Sequence, residues 1–307
     1  MHLERSSVGL ALLLSLALFP SEARAWCQMT TYTGTRLPEE QGACVLTSNH
    51  PGSSVLAWRT PCTAISLSSE AASPTLSADQ VRGVFQRAIA SWTQVDCGGA
   101  PTGLQVDVLN ETNLCTSATH NRGGRNVHSV LFIASGWSTE RRLDPRAYAV
   151  TFVWHNADTG EIYDADMQMN NVRGPYTLCE ESGCTSGNTD LENIVAHEMG
   201  HYFGVAHTQE ENGAATMFAE APPGELNKRS LEEDDTTAIC SIYAPGSLPS
   251  ACNNAPRGGL ALDCQAHECG CAAPGLPNTT PRAGFLSLVG LAATLWGLRK
   301  RRALTAR

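Results

Sequence analysis

Residues 197–207 read His-Glu-Met-Gly-His-Tyr-Phe-Gly-Val-Ala-His, and no other stretch narrows the possible folds as far. On a helix, His197 and His201 project from one face about one turn apart. Two imidazoles at that spacing can bind one tetrahedral zinc ion, and Glu198 beside them is placed to act on a water at the metal. Gly204 can take positive φ, so it stops the helix and turns the chain back to offer His207 as a third nitrogen. Three protein ligands leave the fourth position open, which is the pattern of a catalytic zinc and not of a structural one. Asp190 suits the N-cap of this helix, and Leu191, Ile194, Val195 and Met199 form its apolar side.

The remaining periodicities predict an α+β chain. Ser77 to Val95 reads as an amphipathic helix, with Val81, Val84, Phe85, Ala88, Ile89 and Trp92 on one face. Ser77 and Gln80 make a capping box at its start. Strands are expected at Leu104–Leu109, Val127–Ala134, Ala147–Trp154 and Ile162–Met169. The turn from Asn156 to Gly160 joins the last two as a hairpin. A closing helix is expected over Leu231–Tyr243, capped by Ser230 with Glu233 at the box position.

The extended H-E-x-x-H-x-x-G-x-x-H motif resembles that of the metzincin metallopeptidases, which carry a Met-turn beneath the zinc. Met217, within Ala215-Thr216-Met217-Phe218, is the matching methionine, and Thr208 after the third histidine is most similar to the matrixin branch. The order of helix, strands, histidine helix, Met-turn and closing helix is similar to a matrixin catalytic domain over roughly residues 55–245. The resemblance implies a metzincin fold: a mixed, mostly parallel twisted sheet with a first helix, a zinc helix and a C-terminal helix. It also implies that Gly204 and Met217 support the site without binding metal, and that an edge strand near Ala149–Trp154 pairs with extended substrate. Asp234 and Asp235 resemble the paired aspartates of the matrixin closing helix, although a solvated acidic first turn would read the same.

Two family features are missing from the sequence. The cysteine-switch motif P-R-C-G-x-P-D is absent, which leaves the latency mechanism open. The histidine and aspartate pattern of the second, structural zinc is also absent, so His120, His128 and His155 are expected to be surface or hydrogen-bonded residues. Asp158, Glu161, Asp164 and Asp166 around the hairpin offer oxygens that suit calcium; an exposed acidic hairpin is the alternative.

The ends of the chain predict export. In residues 1–25, Arg5 precedes the apolar run Val8–Phe19, and Ala23-Arg24-Ala25 fits a signal cleavage site. All twelve cysteines lie beyond it, as expected of an exported, disulfide-bonded chain. Cys179 with Cys184, and Cys62 with Cys97, are the pairs that suggest themselves, out of on the order of a hundred connectivities for the eight cysteines of the catalytic region. Residues 26–245 are read as the catalytic domain with a short N-terminal extension, and 246–282 as a linker rich in Pro, Gly and Cys. Residues 283–307 hold a short apolar segment and a basic cluster, Arg299 to Arg302. With Cys269 and Cys271, this end resembles the C-terminal sorting tails of myxobacterial surface proteins. Residues 269–302 would therefore engage tail-processing machinery, or the membrane as a plain anchor.

Charge excludes one class of partner. The chain carries −9 overall, and residues 26–281 hold 13 basic against 28 acidic residues. A body at −15 repels nucleic acid. The sequence therefore reads as an exported zinc endopeptidase acting on extracellular protein or peptide substrates. Zinc on His197, His201 and His207 would polarise the scissile carbonyl, with Glu198 as general base. The alternative is a surface-displayed binding or adhesion protein with a non-catalytic zinc site, against which an intact Glu198 speaks.

Overall fold

The computed structural model describes residues 26–37, 40, 44–184, 187–208 and 213–264. The expected signal segment and the tail from 269 onward lie outside the described residues. Among those described, no helix is long and apolar enough to cross a membrane.

The elements run β1 (Cys27–Gln28), β2 (Cys62–Leu67), α1 (Ala78–Thr93), β3 (Gln105–Val108), β4 (His128–Ile133), β5 (Ala149–His155) and β6 (Ile162–Asn170). They continue with β7 (Tyr176–Thr177), β8 (Thr189–Asp190), α2 (Leu191–Tyr202), β9 (Val205–Ala206) and α3 (Glu233–Ile242). Five strands form one sheet in the order β3-β2-β4-β6-β5, parallel except for β5, which runs antiparallel along the edge. This is the α+β, metzincin-like architecture that the motif implies.

The helix α1 forms where the apolar stripe demands. Ser77 and Gln80 exchange the capping-box hydrogen bonds, and the six predicted apolar residues are all buried. Its stripe packs on α2, where Trp92 Nε1 donates to the Ala196 carbonyl at 2.8 Å. Together the two helices cover one face of the sheet over a large core. A smaller cluster of Leu131, Ile133, Trp137, Leu143 and Val150 covers the other face under the loop that follows β4.

Three expectations are corrected here. The strand β2 was not foreseen, because Cys-Thr-Ala-Ile-Ser-Leu is buried on both sides and shows no alternation. The closing helix starts at Glu233 and not at Leu231; Glu232 is its N-cap, sharing a capping box with Asp235. The pair Cys62–Cys97 does not form. Cys62 joins Cys252 and Cys97 joins Cys240, because α1 leans on α2 and carries its C-terminal end towards α3. Cys179–Cys184 forms as expected, with Cys27–Cys44 and Cys115–Cys264 beside it.

The segment expected to start a linker is instead a strap as far as residue 264. Cys252 and Cys264 anchor it, Asn126 bridges to Leu260, and Ala261 is buried. Gly258 is required where the strap crosses the body: a Cβ there would lie 2.0 Å from the Gly124 carbonyl oxygen, and its φ is +83°.

The calcium reading of the hairpin finds no support among the described residues. Asp164 and Asp166 lie two apart on β6, so both point to the same, buried side. Asp164 receives His128 Nδ1 at 2.5 Å and His120 Nδ1 at 3.0 Å, while Asp166 accepts the N–H groups of Ser129 and Thr119. Glu161 pairs with Arg257 outside. The carboxylates of Asp164, Asp166 and Glu161 thus serve separate partners, and His120 and His128 are hydrogen-bonded as expected, with buried side chains. His155 is half-buried.

Candidate metal centre and active site

The helix α2 is positioned before its histidines matter. Asp190 caps it, Oδ2 accepting the Asn193 N–H at 2.8 Å, and Arg229 grips the same carboxylate at 2.6 and 2.8 Å. Nearly the whole helix is buried, so its faces are fixed by packing on both sides. Buried Asn193 adds a clip, accepting the Lys228 N–H at 2.8 Å.

His197 and His201 project from one face of α2, as the spacing predicts. Each Nδ1 lies against a backbone carbonyl, Thr216 at 2.7 Å and Val205 at 2.8 Å, so each Nδ1 carries the proton. Their Nε2 lone pairs face inward, 3.2 and 3.1 Å from His207 Nε2. His207 has one proton to share between two such acceptors, so three nitrogens converge with too few hydrogens to satisfy them. Burial first, then mutual repulsion, holds His197 well below the usual histidine range. Burial pushes His201 down to about 4; burial and the charge of His201 push His207 to about 3. Neutral imidazoles with orphaned, convergent Nε2 atoms are the form that ligates zinc, and the three donors lie within 4.8 Å of one another. The residues fit a zinc ion. Cys179, Cys184 and Asp190 also cluster, but their sulfurs are joined to each other.

Gly204 sits at φ +88°, and a Cβ there would lie 2.6 Å from the Leu56 carbonyl oxygen. The glycine therefore serves both the helix stop and a close backbone approach. Beyond it, β9 pairs with β1, placing Ala206 opposite Cys27 and holding the strand that leads into His207. Thr208 N–H then donates to the Met217 carbonyl at 3.0 Å, joining the third histidine to the Met-turn.

Met217 lies beneath the histidines, fully buried. Its turn is pinned by Asp235, which accepts the N–H groups of Thr216 at 2.7 Å and Met217 at 3.0 Å. Asp234 accepts the Thr208 hydroxyl at 2.8 Å. The two aspartates are thus a clamp on the turn and the third histidine, and the reading as a solvated first turn does not hold for Asp235. Gly200, inside the motif's variable positions, lets Met217 approach: a Cβ there would meet the sulfur at 2.1 Å.

Glu198 is buried, with its carboxylate bonded to the Thr151 hydroxyl of β5 at 2.5 Å. Burial raises its pKa to about 7 against the lowering effect of that hydrogen bond. Sequence reasoning missed Thr151, Asn193, Lys228 and Gly200. Thr151 sits in a strand at no recognisable spacing from Glu198, and Lys228 looks like any surface lysine. In the structure Lys228 is buried, donating to the Phe218 carbonyl at 2.9 Å and so tying the Met-turn to the segment that follows it. Gly200 offered one signal, a small residue on a buried helix.

No curated protein matches the chain. The family model of the matrixins (Peptidase_M10) matches residues 128–244, from β4 through the histidine helix and Met-turn to the end of α3. The region that builds the site is thus similar to a family of zinc-dependent metallopeptidases, on a metzincin-like fold.

Proposed function

We propose that the chain is an exported zinc endopeptidase that hydrolyses peptide bonds in extracellular proteins, with His197, His201 and His207 as metal ligands and Glu198 as general base. The observation that carries this reading is the convergence of the Nε2 atoms of three buried histidines beside a buried carboxylate held by Thr151. Zinc bound there supplies Lewis acidity, polarising the scissile carbonyl and lowering the pKa of the attacking water.

The chain's own residues do the rest. The Thr216 and Val205 carbonyls fix the imidazole tautomers, so the ligand set needs little rearrangement. The Thr151 hydroxyl orients the Glu198 carboxylate at one oxygen and leaves the other to accept a proton from water. The same carboxylate hands that proton to the departing amine. Its elevated pKa suits both steps, because a group close to the working pH takes and gives protons with similar ease. The antiparallel edge strand β5, which carries Thr151, offers unpaired backbone groups for an extended peptide to pair with.

Five disulfides among the described residues suggest export, since such bonds persist in oxidising compartments. Residues 1–25 would direct it, and residues 269–302 would be a sorting or anchoring tail; deleting 283–307 should then release active enzyme into the medium.

The purified chain should cut an unfolded protein, and a zinc chelator should stop it. Glu198→Gln should retain one equivalent of zinc and lose at least about 100-fold in kcat/KM, because the amide keeps the shape and cannot take the proton. Retention of more than about a tenth of the wild-type value would remove the general-base role.

A further inference from the structure

The strand side of the site carries a cation that stands outside any ion pair among the described residues. Tyr148 directly precedes β5, three residues before the Thr151 that binds Glu198. Its carbonyl accepts both the Tyr176 hydroxyl at 2.6 Å and the Asn170 N–H at 2.7 Å, so its backbone is fixed. Buried Asn170 also organises the turn above. Its Oδ1 accepts the N–H groups of Val172 at 3.1 Å and Arg173 at 3.2 Å, while its Nδ2 donates to the Ala147 carbonyl at 2.7 Å. That turn seats the Arg173 guanidinium 3.6 Å above the centre of the Tyr148 ring.

A guanidinium flat on a tyrosine face gives up much of its rotational freedom while its N–H edge stays open to a partner. Arg173 is exposed, and its side chain makes no ion pair or side-chain hydrogen bond among the described residues. Asp144, which feels the charge of Arg173, is held by Arg146 at 3.0 Å, and Glu220 lies near Arg146. The rest of the chain is acidic, so a fixed, unpaired cation at this place stands out chemically.

The position relative to the reacting bond follows from the strand. Because the Tyr148 carbonyl faces β6, alternation turns the N–H and C=O of Ala149 and Thr151 to the open edge. A peptide paired along that edge would have a side chain level with Tyr148 about 10 Å, or roughly three residues, from the bond beside Glu198.

We propose that Arg173, stacked on Tyr148, is a specificity-determining residue that selects peptides bearing aspartate or glutamate about three residues from the scissile bond. This rests on the endopeptidase reading above. The test uses the full, zinc-loaded chain and a set of peptides with one cleavable bond and Asp, Glu, Gln or Lys scanned over four positions on each side. Wild type should prefer the acidic over the glutamine peptide by about threefold to fivefold at one position, the size expected of an exposed ion pair. The preference should shrink as salt rises from about 0.05 to 0.5 M. Arg173→Ala should bring the ratio of kcat/KM values at that position to about one, and Arg173→Glu should turn it in favour of lysine. An acidic preference that survives Arg173→Glu, or cleavage with no preference at any position, would overturn the assignment while leaving the endopeptidase reading in place. Failure to cut any peptide would instead sink that underlying reading.

Discussion

Gly200→Ala tests how tightly the histidine helix is fitted to the Met-turn. In an exposed helix the change would stabilise by about 1 kcal/mol, since glycine is the poorer helix former. Here the new Cβ would lie 2.1 Å from Met217 Sδ, 3.0 Å from its Cε and 2.8 Å from Trp92 Cζ2. The Trp92 ring cannot step aside cheaply, and the flexible end of Met217 has only packed surroundings to move into. Trp92 is fully buried and tied through Nε1 to the Ala196 carbonyl, and Met217 is buried with its N–H held by Asp235. Overpacking of this kind costs about 1–3 kcal/mol, and a rigid indole beside a confined thioether puts the cost at the upper end. We therefore expect a net loss of about 1–2 kcal/mol in urea unfolding of the zinc-free protein. The displaced Met-turn carries the Thr216 carbonyl that orients His197, so zinc affinity should fall about 10- to 100-fold, as when an outer partner of a ligand is lost. Adding Met217→Ala makes room for the methyl group. The double variant should then be at least about 1 kcal/mol more stable than the sum of the single changes implies. A stabilised Gly200→Ala protein with unchanged zinc affinity would refute the packing argument.

Two further outcomes follow from the clamp and from the N-terminal extension. Asp235→Ala removes the acceptor for the buried N–H groups of Thr216 and Met217; at about 1–3 kcal/mol for each orphaned donor, stability should fall by about 2–6 kcal/mol, and a thermal scan showing no loss would contradict the role. Glu40 is buried, which raises its pKa, but hydrogen bonds from His50, the Leu37 N–H, Asn49 and the Leu46 N–H outweigh this and lower it from 4.5 to about 2. A depressed carboxylate stabilises fully above its unfolded pKa, so the extension's contribution should fade only as pH drops from about 4.5 towards 2. Proteolysis at residues 30–50 should track that window in wild type and lose its pH dependence in Glu40→Gln.

Much of the fold was legible because its signals are local. The capping box at Ser77, the stripe from Val81 to Trp92 and the turn at Asn156 each declare an element within a few residues. The strand β2 declared nothing, since a strand buried on both faces has no period to read. The same holds for the site. His197, His201, Gly204 and His207 are fixed by helix geometry and one turn, so spacing alone brings them together. Thr151 and Asp235 reach the site from 47 and 37 positions away from Glu198, and only the sheet register and the placement of α3 bring them there.

That division has a physical basis in how the site is assembled. The short motif specifies donors, but three imidazoles pointed at one another are unfavourable until something holds them. The holding groups come from four separate pieces: the Thr216 carbonyl on the Met-turn, the Val205 carbonyl on β9, Asp235 on α3 and Arg229 on the Asp190 cap. Two of these pieces are themselves secured elsewhere, β9 by pairing with β1 and α3 by the Cys97–Cys240 bond to the segment just after α1. A long-range disulfide of this kind restricts the unfolded chain, so it stabilises the folded state without acting on the histidines directly. The donor set can thus stay neutral, convergent and ready for metal at a cost borne by the whole domain. This also explains why residues that bind no metal, Gly200 and Asp235 foremost, should be as sensitive to substitution as the histidines themselves.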